Sequence, residues 1–253
     1  MKAINIAMDT NYTGEEIDQK LKESHFTCRD ITNSKDEYRL WDEQFAKVVI
    51  DEAIKAGVRH ISYSSLTFAS NSNLMSVMQV MAAHLLTEQY LDQVQQKNPT
   101  TFSYTTVREG LYSESYPIYT AFFDINNPPQ DNLSEVTACL IIWYIEDPTS
   151  FPWLNKIIIL SGPCAYTLSE MADIFSCILS KLIKIVETSI KHYVKSGLNY
   201  RTGDWAWLWA NSFKGIHQSK TNIINSHLHD LLGWEPKDFE TTIHNSLVAM
   251  KEQ

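Results

Sequence analysis

Three short clusters in this 253-residue chain carry side chains able to do chemistry. The first is Tyr63-Ser64-Ser65, three consecutive hydroxyls that can each donate and accept a hydrogen bond. The second is His84, with Glu88 one helical turn later on the same face. Neutral imidazole both donates and accepts near neutral pH, so His84 fits a general acid or an orienting donor. The competing reading is a helix-face histidine packed against a tyrosine or against Glu88. The third is Arg108-Glu109-Gly110, in which Gly110 suits a tight turn and Arg108 suits an ion pair as well as it suits a ligand.

The elements that must position these clusters follow from periodicity. "FAKVVIDEAIKA" places Val48, Val49, Ala53 and Ala56 at helical offsets, which predicts a helix over residues 40–56. Gly57 supplies the stop, because glycine adopts the left-handed conformation that closes a helix. "VRHISYSS" then turns to β-branched and aromatic residues, which predicts a strand over 60–64 with Tyr63, Ser64 and Ser65 at its carboxyl end. A long helix over about 73–97 carries His84 and Glu88, and "NPT" breaks it. Residues 101–110 read as a second buried strand, 133–147 as an apolar helix capped by Asn132 or Ser134, and 155–162 as a third strand. The helix that follows opens on a capping box, Thr167 with Glu170. Strands alternating with helices of this length predict an α/β fold with right-handed crossovers and a parallel sheet. In such sheets ligands sit just beyond the carboxyl ends of the strands, where the first and third clusters fall.

Composition excludes several classes. A hydrophobic share of 44% supplies ample core, and no apolar run reaches the roughly 18–20 residues of a membrane span. The start "MKAINIAMDT" turns polar too soon for a secretory signal. A net charge of −9 leaves no electrostatic footprint for nucleic acid. Cys28, Cys139, Cys164 and Cys177 lack metal or disulfide spacing, and reduced, mostly buried thiols are expected. The expectation is a soluble cytoplasmic protein with a small-molecule partner. Glycine is the informative scarcity: of 8, only Gly14 precedes Gly57. A loop that cradles a pyrophosphate needs several glycines close together, so the first 56 residues are not expected to build one.

"AIKAGVRHISYSS", "AHLLTEQYL", "FSYTTVREGLYSES" and "YTLSEMADIF" follow one another in a familiar order, continued by "ANSFKGI" and "LLGWEPKDFETTI". The chain resembles the NmrA-like family, atypical short-chain dehydrogenase/reductases with an NAD(P)-binding Rossmann fold, over about residues 40–250. The resemblance implies a Rossmann-like parallel sheet flanked by helices, N-terminally truncated or remodelled. It divides the chain into an atypical segment 1–38, a core 39–165 and a mostly helical substrate-side region 166–253. It implies an oxidoreductase that uses NADP or NAD on a small carbonyl, enone or imine-type molecule, as in specialised metabolism. Ser64, Ser65, Arg108, Glu109 and Gly110 would meet the cofactor, and His84 and Tyr63 would be the catalytic candidates. Two other classes remain open: a non-catalytic dinucleotide-sensing regulatory module, and a cofactor-independent isomerase in the same pocket.

The departures from the family pattern are as informative. The glycine-rich turn and the first βα units are absent or replaced by 38 unrelated-looking residues. Loss of those units would open a sheet edge, so a homo-oligomer, or poor solubility of the chain alone, is expected. No Tyr-x-x-x-Lys pair follows Tyr63, Tyr90, Tyr104 or Tyr116. Tyr112 and Tyr116, with Glu114 and Tyr119, read as walls of a pocket or core, and Trp205 and Trp209 share a helix face that suits packing or a substrate wall. His227 and His229, two apart, point in divergent directions on a helix and make a poor metal site.

Overall fold

Gly57 does close the first helix. In the computed structural model, which describes residues 43–67, 79–111, 113, 135–195, 210 and 213–251, α1 spans Glu43–Lys55 and Gly57 follows at φ 80°. The backbone N–H of Gly57 donates to Ile54 and that of Val58 to Ala53, so the final carbonyls are satisfied and the chain enters β1 (His60–Leu66). Helix α2 (Gln79–Lys97) returns the chain to β2 (Ser103–Glu109), and α3 (Glu135–Glu146) leads to β3 (Lys156–Leu160). The three strands are parallel in the order β1-β2-β3, with Tyr63 opposite Thr106, Ser65 opposite Arg108 and Arg108 opposite Ile159.

Alternation along the strands divides the sheet into two faces. On one, Ile61 and Tyr104 pack with Ile50 and Ala53 of α1 and with Leu91 and Val94 of α2. On the other, Val107, Ile158 and Leu160 pack with Leu140 and Tyr144 of α3 and with Phe151. The central strand is buried from Tyr104 to Glu109, as a strand covered on both faces must be. This is the α/β sheet flanked by helices that the pattern predicts.

The C-terminal elements are α4 (Leu168–Leu179), α5 (Ile190–Lys195), α6 (His227–Leu232) and α7 (Phe239–Lys251). The capping box at α4 is complete: Glu170 N–H donates to Thr167 Oγ1 at 3.2 Å, and Thr167 N–H to Glu170 Oε2 at 2.7 Å. Met171 and Phe175 of α4 pack on Phe239 and Ile243 of α7. Ahead of and within α6, Asn225 Nδ2 and His227 Nδ1 meet the carbonyl of Ile159 at 3.1 and 3.0 Å. The neighbouring Leu160 carbonyl accepts from Gly110 of the β2 side, so Ile159 faces away from that strand.

Several expectations need correction. Strand β1 runs on to Leu66, so Tyr63, Ser64 and Ser65 lie inside it. The reason is pairing: β2 continues to Glu109, and its partner extends with it. Cys164 and Cys177 are exposed, one in the loop after β3 and the other off the Met171–Phe175 stripe of α4. Residues 1–42, the caps Asn132 and Ser134, and the first turns expected for α2 lie outside the described residues.

Candidate active site

Helix α2 carries His84 and Glu88 to the sheet. Leu91 and Val94 pack beside Ile61 and Tyr104, while His84, about two turns earlier, meets Tyr63. The helix therefore runs against the strands, and its earlier residues lie toward the carboxyl end of β1. There Tyr63 Oη and His84 Nδ1 are 2.8 Å apart, with the rings tilted at 45°. Burial lowers His84 to about 4, so its imidazole is neutral at physiological pH. Burial also pushes the Tyr63 phenol above its ordinary value, reinforced by the Glu88 carboxylate and opposed by a hydrogen bond with Thr87. The pair is a neutral phenol and a neutral imidazole sharing one hydrogen bond.

One helical turn on, Glu88 is gripped from two strands. Ser65 Oγ donates to Oε1 at 2.6 Å, Arg108 Nε donates to Oε1 at 2.9 Å and Arg108 Nη2 to Oε2 at 2.6 Å. Ser65 is fully buried, and the Arg108 and Glu88 side chains are 10% and 7% exposed. The forked contact is the strong, orientation-specific kind that guanidinium makes with carboxylate. Both donors are directed at Glu88, so these two residues brace the site from beneath.

Ser64 falls on the opposite face from Tyr63 and Ser65, because successive strand residues alternate. Glu109 is buried, its carbonyl accepting from Thr67 N–H, and it too lies on that opposite face. Gly110 follows directly. Its N–H donates to Leu160 O at 2.9 Å, and a Cβ built there would stand 3.3 Å from that oxygen. Close backbone approach, not a left-handed φ, is what glycine supplies at this strand end. Tyr112, Tyr116, Trp205 and Trp209 lie outside the described residues.

Thr106 Oγ1 and Ser161 Oγ are buried with no hydrogen-bond partner, and sequence reasoning singled out neither. Thr106 is the sheet neighbour of Tyr63, and Ser161 directly follows β3 beside Gly110. Their signal was position alone, next to residues already singled out. His227 and His229 do diverge: one faces Ile159 O, the other stands between Asp230 and Glu235 at 3.4 Å from each.

No protein-family model matches the chain. Over 217 residues, 81% of the chain and 67% of the relative, it is 25% identical to the NmrA-like family domain-containing oxidoreductase flvB of Aspergillus flavus. That relative agrees with the resemblance the motifs carry. The NADPH-dependent quinone oxidoreductase QOR2 of Escherichia coli, complexed with NADPH, superposes with a TM-score of 0.62 at 18% identity, over 98% of this chain and 100% of that one. Triphenylmethane reductase of Citrobacter sp., complexed with NADP(H), gives 0.60 at 18% identity over 96% and 89%. A nucleoside-diphosphate-sugar epimerase of Staphylococcus aureus gives 0.62 at 16% identity over 96% and 99%. The fold expected from the sequence is the fold these structures share.

Proposed function

We infer that this chain, a homologue of the NmrA-like oxidoreductases built on their Rossmann-like sheet, is an NAD(P)-dependent oxidoreductase. Its substrate class is a small organic carbonyl, enone or imine-type molecule. The Tyr63–His84 hydrogen bond carries the reading: it joins a phenol and an imidazole three residues short of the carboxyl end of β1, the side of the sheet where this fold places its ligands. The curated relative is an oxidoreductase, and two of the solved neighbours are reductases complexed with NADPH or NADP(H).

The nicotinamide side of such a cofactor fits the residues present. Gly110 keeps the end of β2 bare where a Cβ would crowd the Leu160 carbonyl, and the Ser161 hydroxyl beside it is buried and unpartnered. No glycine-rich turn occurs among the described residues, so the pyrophosphate gains no cradle from them. A nicotinamide bound there would supply the hydride for the substrate's electrophilic carbon. The chain's own part is the proton. Tyr63 donates its hydroxyl proton to the developing alkoxide or enolate oxygen, His84 Nδ1–H donates a hydrogen bond that stabilises the phenolate left behind, and solvent returns a proton to that phenolate once product has left. Keeping His84 neutral in the resting site fits an exchange in which no net charge is stored between turnovers.

A second reading rests on the lone glycine ahead of Gly57: a module that senses dinucleotide without turning it over. A screen of quinones, enones and aromatic ketones with millimolar NADPH and NADH, followed by loss of nicotinamide absorbance, separates the two. Turnover with any of these substrates is the expected result. Ligand-dependent protection from thermal unfolding without turnover would replace the enzyme with the module. The reading places the protein in the cytoplasm as a homo-oligomer, and light scattering tests the assembly. Among the described residues no helix is long and apolar enough to cross a membrane.

A further inference from the structure

Glu88 of α2 is held from two neighbouring strands at once. It accepts from Ser65 on β1 and twice from Arg108 on β2. An ion pair this deeply buried is a poor source of stability, because desolvation offsets most of its attraction and an apolar pair of the same volume would hold the fold as well. What a forked pair supplies in return is geometry: guanidinium and carboxylate accept one relative orientation. Ser65 adds a third point, on a second strand, so the carboxylate is fixed in rotation as well as in distance. His84 precedes Glu88 by one turn, about 6 Å along the same helix face. Any slide or roll of α2 that loosens Glu88 moves the imidazole by a similar amount.

We propose that Glu88 is a positioning residue: by holding Ser65 of β1 and Arg108 of β2 together, it sets the height and rotation of α2 at which His84 Nδ1 meets the Tyr63 hydroxyl. The proposal rests on the Tyr63–His84 reading of the site, but its test does not depend on turnover. The titratable groups of the cluster are Tyr63 on β1, His84 and Glu88 on α2, and Arg108 on β2.

The experiment is ring-resolved histidine NMR on the full chain, with Glu88→Gln, Arg108→Lys and Ser65→Ala. Each loosens the grip while sparing both members of the hydrogen-bonded pair. In the unaltered protein His84 stays neutral down to about pH 4. In each folded variant the His84 midpoint should rise by about half a unit or more, as the ring shifts and water reaches it. His60, on the opposite sheet face against Tyr144, should keep its own midpoint and so report an intact fold. Where turnover is found, kcat should fall about tenfold while KM for NADPH holds, the signature of misplacement. Glu88→Gln strands a buried guanidinium; if it does not fold, Arg108→Lys and Ser65→Ala carry the test. A folded Arg108→Lys and a folded Ser65→Ala that both leave the His84 midpoint in place would overturn the proposal. Absence of turnover with every substrate would instead sink the oxidoreductase reading and leave the positioning result standing.

Discussion

The Tyr63 hydroxyl and His84 Nδ1 stand 2.8 Å apart, one on a strand and the other on the helix that follows it 21 residues later. If they deliver the proton, His84→Gln should preserve the fold and the hydrogen bond while turnover falls by about 10²–10⁴. Glutamine keeps size and polarity without a titrating nitrogen. Circular dichroism and steady-state rates on the same preparation check this. A folded variant with unchanged turnover would remove His84 from the site.

Tyr63→Phe tests the other partner and separates the two roles. Removal of the hydroxyl takes the partner from a buried imidazole nitrogen, which should cost about 1–3 kcal/mol of stability. It should also abolish most turnover, because the phenol is the group that gives its proton to the substrate oxygen. Denaturant unfolding and the rate assay read the two effects independently. Stability loss with full activity would assign Tyr63 to packing alone.

Acid should unfold the protein through its buried histidines. Burial holds His60 at about 3 and His84 at about 4 in the folded chain, against 6.5 when unfolded. Both folded values are depressed, so the stability is fully present above pH 6.5. It is lost as pH falls, because the unfolded chain takes up protons first. The slope between pH 6.5 and about 4 approaches about 1.4 kcal/mol per pH unit for each histidine. Melting temperatures across that window should decline, and His60→Asn should flatten the decline. A flat profile would mean that these rings are reached by water.

Gly110→Ala should destabilise without touching the proton-delivering pair. Its new Cβ would stand 3.3 Å from the Leu160 carbonyl and 3.8 Å from Ser161 Cα, both backbone atoms with little freedom to retreat. The expected cost is about 1–3 kcal/mol, read as a drop of several degrees in melting temperature. An unchanged melt would show that the two strand ends separate freely.

Cofactor affinity should be weak, on the order of millimolar, because a single glycine precedes Gly57 and tight pyrophosphate binding uses bare backbone amides. Isothermal titration with NADPH decides it. Micromolar affinity would show that residues 1–38 hold the phosphates by another arrangement.

Much of this architecture was readable beforehand. Hydrophobic period and glycine stops located three parallel strands within two residues of their observed limits, and the Thr167–Glu170 cap needed only local spacing. The same local logic put His84 and Glu88 on one helix face. It could not pair Glu88 with Arg108, because that contact joins residues 20 apart through the crossover. Nor did it separate Ser64 from its neighbours: where hydroxyls run consecutively, alternation sends them to opposite faces, and only the register with β2 tells which face meets α2. The thiols misled for a related reason, since mean hydropathy around Cys177 says nothing of which side of α4 it occupies.

The Ile159 carbonyl has a consequence for how the sheet ends. A peptide oxygen has two lone pairs, and here Asn225 and His227 occupy them both, some 66 residues down the chain. An incoming extended segment would find no vacant acceptor at that rung. Asn225 and His227 therefore work as a selvage, a woven border that keeps this margin from fraying into another molecule. Clipping the chain before Asn225 would undo that border and strip Leu228, Leu231 and Leu232 from the core beside β3.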